Sequence, residues 1–314
     1  MQLTPETEPH YQHTVAAEVS CVGVSLHSGD MVNMVIRPSQ PGSGIVFVRK
    51  DIDSPHNTVH ASYDAVAETT LGTTIANKHG VTVSTIEHLM AALWGAGIDN
   101  ARVELNGPEV PIMDGSSEPF VFLLECAGRV QQGATKRVVQ VLREVTVSEG
   151  GSTATLTPHD GFVLEVEIAF NHQLIGSQKA RYDFTDTSFK QALARARTFG
   201  FARDVEKMRS MGLALGGSLH NAIVIGEEDI INEGGLRYAD EFVRHKALDC
   251  VGDYFLAGAA IHGLVTTKRP GHGINNKLIR ALFADPANYR LVGDEQVDVP
   301  MIVEREEMVS ERVA

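Results

Sequence analysis

Basic charge is in short supply in this 314-residue chain: 27 lysines and arginines face 40 aspartates and glutamates, for a formal net charge of -13. So few cations leave nucleic-acid binding without an obvious electrostatic source, although a local basic pocket stays open. Long apolar runs are missing too. No segment reaches the roughly 18 consecutive apolar residues of a membrane span, and the opening MQLTPETEPHYQHT has neither the cationic leader nor the apolar core of a signal peptide. The sequence therefore reads as a soluble, cytoplasmic protein with no integral membrane segment. Cysteine is scarce: Cys21, Cys126 and Cys250 are odd in number, widely spaced and beside apolar or small neighbours. That argues against a disulfide framework and for packing roles in a reducing compartment. An H-E-x-x-H helix is also absent, which argues against a metallopeptidase.

What is present suffices for real cores: 43% of residues are hydrophobic, and the length suggests two compact domains. Up to Glu104, short β-rich runs such as 31–37 and 44–48 alternate with turn clusters such as 38–44. Ser84 reads as the N-cap of a helix whose buried face is Ile86, Leu89, Met90 and Leu93, before Gly95 and Gly97 stop it. A strand at 101–105 and a helix at 118–127 follow. Residues 128–137 are polar with two glycines and read as the domain boundary, dividing the chain into 1–132 and 133–314. The second half opens with strand-like runs at 138–147, 152–156 and 163–170, turns helical near Ser188, and carries a glycine turn at 213–218 before an apolar strand at 222–225. A helix at 241–257, ended by Gly258 and followed by a strand at 261–267, repeats the helix-to-strand order of the first half. The expected class is α+β: two similar domains, each a β-sheet packed on α-helices, with the active site between the facing helices.

The helix at 241–257 is apolar at Phe242, Val243, Ala247, Leu248, Val251, Tyr254 and Phe255, yet His245, Asp249 and Asp253 recur as one polar stripe. Side chains four apart on a helix have Cβ atoms about 5–6 Å apart, so His245 and Asp249 can reach one metal ion together. A solvated face is the ordinary explanation of such a stripe, and the apolar flanks on both sides, which would leave buried groups in need of a partner, narrow that preference without reversing it. Glu87-His88 supplies a third nitrogen beside a carboxylate, although Ser84-x-x-Glu87 also fits a capping box. Two imidazoles, one carboxylate and an open position for water form a known catalytic zinc set, and His88, His245 and Asp249 complete it. A structural clamp would complete four protein ligands and would need neither Glu87 nor His272. His272 lies between glycines in a turn after the 261–267 strand, next to Lys268 and Arg269; a plain surface turn accounts for it equally. Thr198 stands between a helix and Gly200, where its hydroxyl either faces an oxyanion or caps locally. Leu213 to Ser218, with Phe201 and Met208, reads either as the wall of an apolar channel or as core.

Five runs in register, Ser84-Thr-Ile-Glu-His-Leu-Met-Ala-Ala-Leu93, Pro111-Ile-Met-Asp-Gly-Ser116, Arg195-Ala-Arg-Thr-Phe-Gly-Phe201, Phe242-Val-Arg-His-Lys-Ala-Leu-Asp249 and Gly271-His-Gly-Ile-Asn-Asn-Lys277, resemble the UDP-3-O-acyl-N-acetylglucosamine deacetylase family of lipid A biosynthesis. The resemblance covers about Val15 to Phe283. It implies a pair of similar α+β domains, a zinc ion held by His88, His245 and Asp249, and Glu87 as general base. It further implies His272 as charged partner or general acid, Asp253 orienting it, Thr198 at the oxyanion and Lys246 near the substrate's polar groups. Phe170 and Phe199, Gly217 and Ser218, and Arg269 are the implied substrate contacts, for a UDP-linked, acylated amino sugar. Gly72 stands where some members have a cysteine, Arg269 where a lysine is commoner, and Gln173-Leu174 replaces a proline-containing pair. An acyl-chain substrate hints at work close to the inner membrane face. Whether the acidic surface meets a regulatory protease or a membrane-associated partner is left open by the sequence.

Overall fold

The computed structural model describes residues 10–293 and the two-residue strand Val303–Glu304. Its first large sheet has five strands in the order Val19–Val24, Met31–Pro38, Ala101–Leu105, Ile45–Arg49 and Thr58–His60. All neighbours are antiparallel except Ile45–Arg49 with Ala101–Leu105. Alternation sets the faces: Val32, Met34 and Ile36 are buried while Met31 and Asn33 point outward. Helices α1 (Glu87–Gly95) and α2 (Glu118–Ala127) belong to this half, and α2 ends at Gly128 with φ 70°.

The second large sheet is built around Ala260–Lys268, which pairs in parallel with Val138–Val141 and Phe162–Ala169 and antiparallel with Ser152–Thr157. Val145–Glu149, Ser177–Asp183 and Tyr289–Val292 complete it. The sequence run 138–147 is thus two strands, broken where the chain leaves one partner for another. Four further helices follow: α3 (Phe189–Ala192), α4 (Ala202–Ser210), α5 (Glu241–Phe255) and α6 (His272–Ala284). The molecule is an α+β protein, with sheets and helices in both halves.

The polar run 128–137, read as the domain boundary, is mostly a strand, Arg129–Thr135, paired antiparallel with Tyr11–Val15. Only Val130 and Ala134 along it are buried, which is why its sequence reads as polar: the ribbon has one half-wet face. The boundary drawn after residue 132 falls inside this strand.

The helix from each half that matters for the site is α1 or α5, and the two pack directly on each other. Gly252 makes this approach feasible. A Cβ there would lie 2.1 Å from the Glu87 carbonyl oxygen. Gly252→Ala is therefore expected to destabilise the protein by at least about 1–3 kcal/mol, the usual cost of overpacking, measured by urea unfolding. A wild-type midpoint in that variant would refute the close contact.

Candidate active site

The site begins with a backbone irregularity. Thr85, at φ 56°, occupies the left-handed region, costly for a β-branched residue, and its hydroxyl donates to the buried Glu109 carboxylate at 3.0 Å. Glu109 also accepts from the backbone of His27 and Ser28. The consequence corrects the capping-box reading. Helix α1 starts at Glu87, with Ile86 and not Ser84 at its N-cap, and the Ser84 hydroxyl accepts from Thr74. Glu87 Oε2 accepts from the Thr73 N–H at 3.0 Å rather than turning back to a cap, so its other oxygen stays available.

One turn of α1 and two turns of α5 then bring His88, His245 and Asp249 together, all buried, with one ligand atom from each lying within 4.8 Å of the others. His88 Nε2 lies 3.5 Å and His245 Nε2 3.3 Å from Asp249 Oδ1. That oxygen is buried and makes no hydrogen bond, the signature of a group shaped for an ion. Burial pushes the His245 imidazole down to about 3, against the pull of Asp249, so it is neutral and its Nε2 lone pair is free. Its Nδ1 faces the Ala196 carbonyl at 3.1 Å, which fixes that tautomer. Burial opposes ionisation of Asp249, but the charge of Lys246 helps to hold its carboxyl well below the usual carboxylate range. Lys246 donates to Asp249 Oδ2 at 2.9 Å. A neutral imidazole at His245 and an ionised carboxylate at Asp249 are protonation states a divalent metal requires, and with the unbonded Asp249 Oδ1 they make a donor set that fits a metal ion.

Beside this trio stand two groups that are not among its ligands. His272 Nε2 lies 3.7 Å from Glu87 Oε1, and His272 Nδ1 lies 2.9 Å from Asp253 Oδ2. Burial alone would lower the His272 pKa; the carboxylates of Asp253 and Glu87 outweigh it and push it up to about 10. The imidazole is therefore cationic at neutral pH. Asp253 is itself fixed by Thr73 Oγ1 (2.6 Å) and Asn275 Nδ2 (2.8 Å). His272 is not in a turn, as the flanking glycines suggested; it is the first residue of α6, after Gly271 in extended backbone.

A cavity of about 540 Å³ opens over these groups. Glu87, His88, Thr198, Phe199, His245, Lys246, Asp249, Arg269 and His272 all line it. Leu71 (φ 59°) and Arg269 (φ 50°) join Thr85 as left-handed non-glycine residues on its wall. Asp253 sits behind His272, and Phe170 sits behind Phe199 with ring centroids 5.6 Å apart. Gly217 and Ser218 are not brought to the wall: Gly217 backs onto Leu26, which lines the cavity, and Ser218 closes a turn with His220 and Asn221. The rest of the expected channel, from Leu213 with Phe201 and Met208, is not on this wall either; its apolar parts are Leu26, Leu71, Phe199, Pro270 and Ile274. Sequence reasoning missed Thr73 and Asn275. Asn275 could have been found, three residues after His272 and so on its side of a helix; Thr73 carries no local signal. Gly72 has a physical reason of its own, since a Cβ there would lie 3.1 Å from Glu87 Oε1.

The family model for UDP-3-O-acyl N-acetylglycosamine deacetylase matches residues 12–284. Proteins named UDP-3-O-acyl-N-acetylglucosamine deacetylase are similar over nearly the whole chain. That of Myxococcus xanthus is 49% identical over 281 residues, 90% of this chain and 89% of the relative. That of Chromohalobacter salexigens is 48% identical over 283 residues (90% and 93%), and that of Alcanivorax borkumensis 46% over 303 residues (96% and 99%). With these five motifs, this trio and this extent of match, the chain belongs to the UDP-3-O-acyl N-acetylglycosamine deacetylase family.

Proposed function

We propose that this protein hydrolyses the N-acetyl group of UDP-3-O-acyl-N-acetylglucosamine, releasing acetate and the free amine in lipid A biosynthesis, with zinc as its metal. The observation that carries this reading is that Glu87 and His272 share one cavity wall with the three-ligand group while neither belongs to it. When bound, zinc polarises an amide carbonyl and lowers the pKa of water to roughly 7. Glu87, with Oε2 held by Thr73, presents Oε1 to remove the proton of the attacking water. Protonated His272 donates through Nε2, to the developing oxyanion or to the departing amine, while Nδ1–H is held by Asp253. Thr198 offers its hydroxyl to the oxyanion, and Lys246 keeps Asp249 ionised and lies close to the substrate's polar groups. Arg269 at the wall suits the diphosphate, Phe199 backed by Phe170 the uridine side, and Leu26 backed by Gly217, with Leu71 and Ile274, the acyl chain; Ser218 contributes by shaping the turn behind Leu26. A division of the chain into 1–132, which carries Glu87 and His88, and 133–314, which carries His245, Asp249 and His272, suits a site shared by both halves. Three free cysteines suit the cytoplasm, and among the described residues no helix is long and apolar enough to cross a membrane.

The test is acetate release from this UDP-sugar by purified protein, before and after removal of metal by a chelator and after return of Zn2+. Release that disappears and returns with Zn2+ supports the reading; release indifferent to chelation refutes it. A pH measurement tests the role of His272. An imidazolium donor loses activity as pH rises through its pKa, so the alkaline limb reports that pKa. Asp253→Asn removes a raising charge and should move this limb to lower pH by about 1–3 pH units. An unmoved alkaline limb would separate His272 from the proton inventory.

A further inference from the structure

The Arg195–Phe201 motif brings Thr198 to the cavity, yet its Arg197 touches neither the cavity wall nor the trio. Its guanidinium, with 11% of the side chain exposed, meets Glu241, which is fully buried. Glu241 Oε1 accepts from Arg197 N (3.0 Å) and Nε (2.9 Å), and Oε2 accepts from Arg197 Nη2 (3.2 Å) and from the Arg237 backbone. Arg197 Nη2 also donates to the Gly235 carbonyl at 2.8 Å. A buried carboxylate with four donors has no freedom to turn. Its position gives that rigidity a use. Glu241 lies one helical turn before His245 on α5, and Arg197 directly follows Ala196, whose carbonyl faces His245 Nδ1 at 3.1 Å. The same pair therefore ties the non-helical segment before strand Phe199–Phe201, which carries the carbonyl, to the helix that carries the ring. From the other side the Asp114–Ser117 turn holds this segment, with Ser117 N donating to Ala194 O (3.0 Å) and Thr198 N to Gly115 O (2.8 Å). His88 has no such support: its Nδ1 is buried without a hydrogen-bond partner among the described residues.

We propose that the buried Arg197–Glu241 pair is a positioning pair for the metal site, clamping the Ala196 carbonyl against His245 so that Nδ1 carries the proton and Nε2 points at the ion. This rests on His245 holding that ion. The test is Zn2+ titration of the metal-free full-length protein against a competing chelator. In Arg197→Met/Glu241→Leu, no buried charge is left unpaired, and replacing an ion pair by apolar groups of similar size is often neutral for stability. The double variant is expected to fold, with a melting temperature close to wild type without metal, and to bind Zn2+ about 10–100-fold more weakly, as outer-shell losses do. A folded double variant with the wild-type Kd overturns the proposal. If the double variant is not recovered folded, Arg197→Lys keeps the charge and loses the two-pronged contact; an unchanged Kd there overturns it equally. Wild-type protein that takes up no Zn2+ would overturn the metal reading itself, which separates the two failures.

Discussion

Glu87→Gln is expected to lower kcat for acetate release by about 10²–10⁴-fold, roughly 3–5 kcal/mol of barrier, while the protein keeps its full complement of zinc. The selectivity follows from the geometry. Glu87 is adjacent in sequence to His88 yet outside the ligand set, and its Oε2 is held by the Thr73 backbone. Glutamine preserves the shape and can still accept that hydrogen bond, but it cannot take a proton from water. A rate within tenfold of wild type would remove Glu87 from the mechanism. Loss of zinc in the same variant would make it a ligand instead. The substitution also deprives His272 of one of the two carboxylates that raise its pKa, so the alkaline limb of any residual activity should fall.

His245→Ala is expected to leave the protein without zinc after dialysis under conditions in which wild type retains it, and acetate release should drop to background. The loss should exceed the about 10–100-fold that outer-shell changes cost, because it removes one of three donors together with the ring that Ala196 orients. Asp249 would then face only His88 and Lys246. Metal content and rate must fall together; a variant that binds zinc as wild type does would show that the ion is held elsewhere.

The stripe of His245, Asp249 and Asp253 could be read from sequence because helix periodicity is local: four residues per step puts them on one face whatever the rest of the chain does. The position of α2, from Glu118 to Ala127, was legible for the same reason, closed by a glycine in its usual place. The start of α1 was not. A capping box is a statement about backbone angles as much as residue types, and Thr85, turned left-handed by its tie to Glu109, breaks the pattern two residues before the helix. His272 looked like a loop residue because glycines flank it, whereas Gly271 serves as the N-cap of α6. The Thr73 to Asp253 bond joins residues from opposite halves, and nothing in either local sequence announces it. That the polar run 129–135 forms a strand was not legible, because a strand with few buried positions carries little apolar alternation.

The contact of α1 with α5 has a thermodynamic consequence. His88 comes from one half of the chain and His245 and Asp249 from the other, so an unfolded chain offers no preformed site and bound metal acts as a staple between distant segments. With zinc as the proposed metal, folding free energy would then depend on the metal in solution: free zinc at a thousand times its dissociation constant would add about 4 kcal/mol to the folded state. Metal supply would thus govern the stability of this protein as well as its turnover.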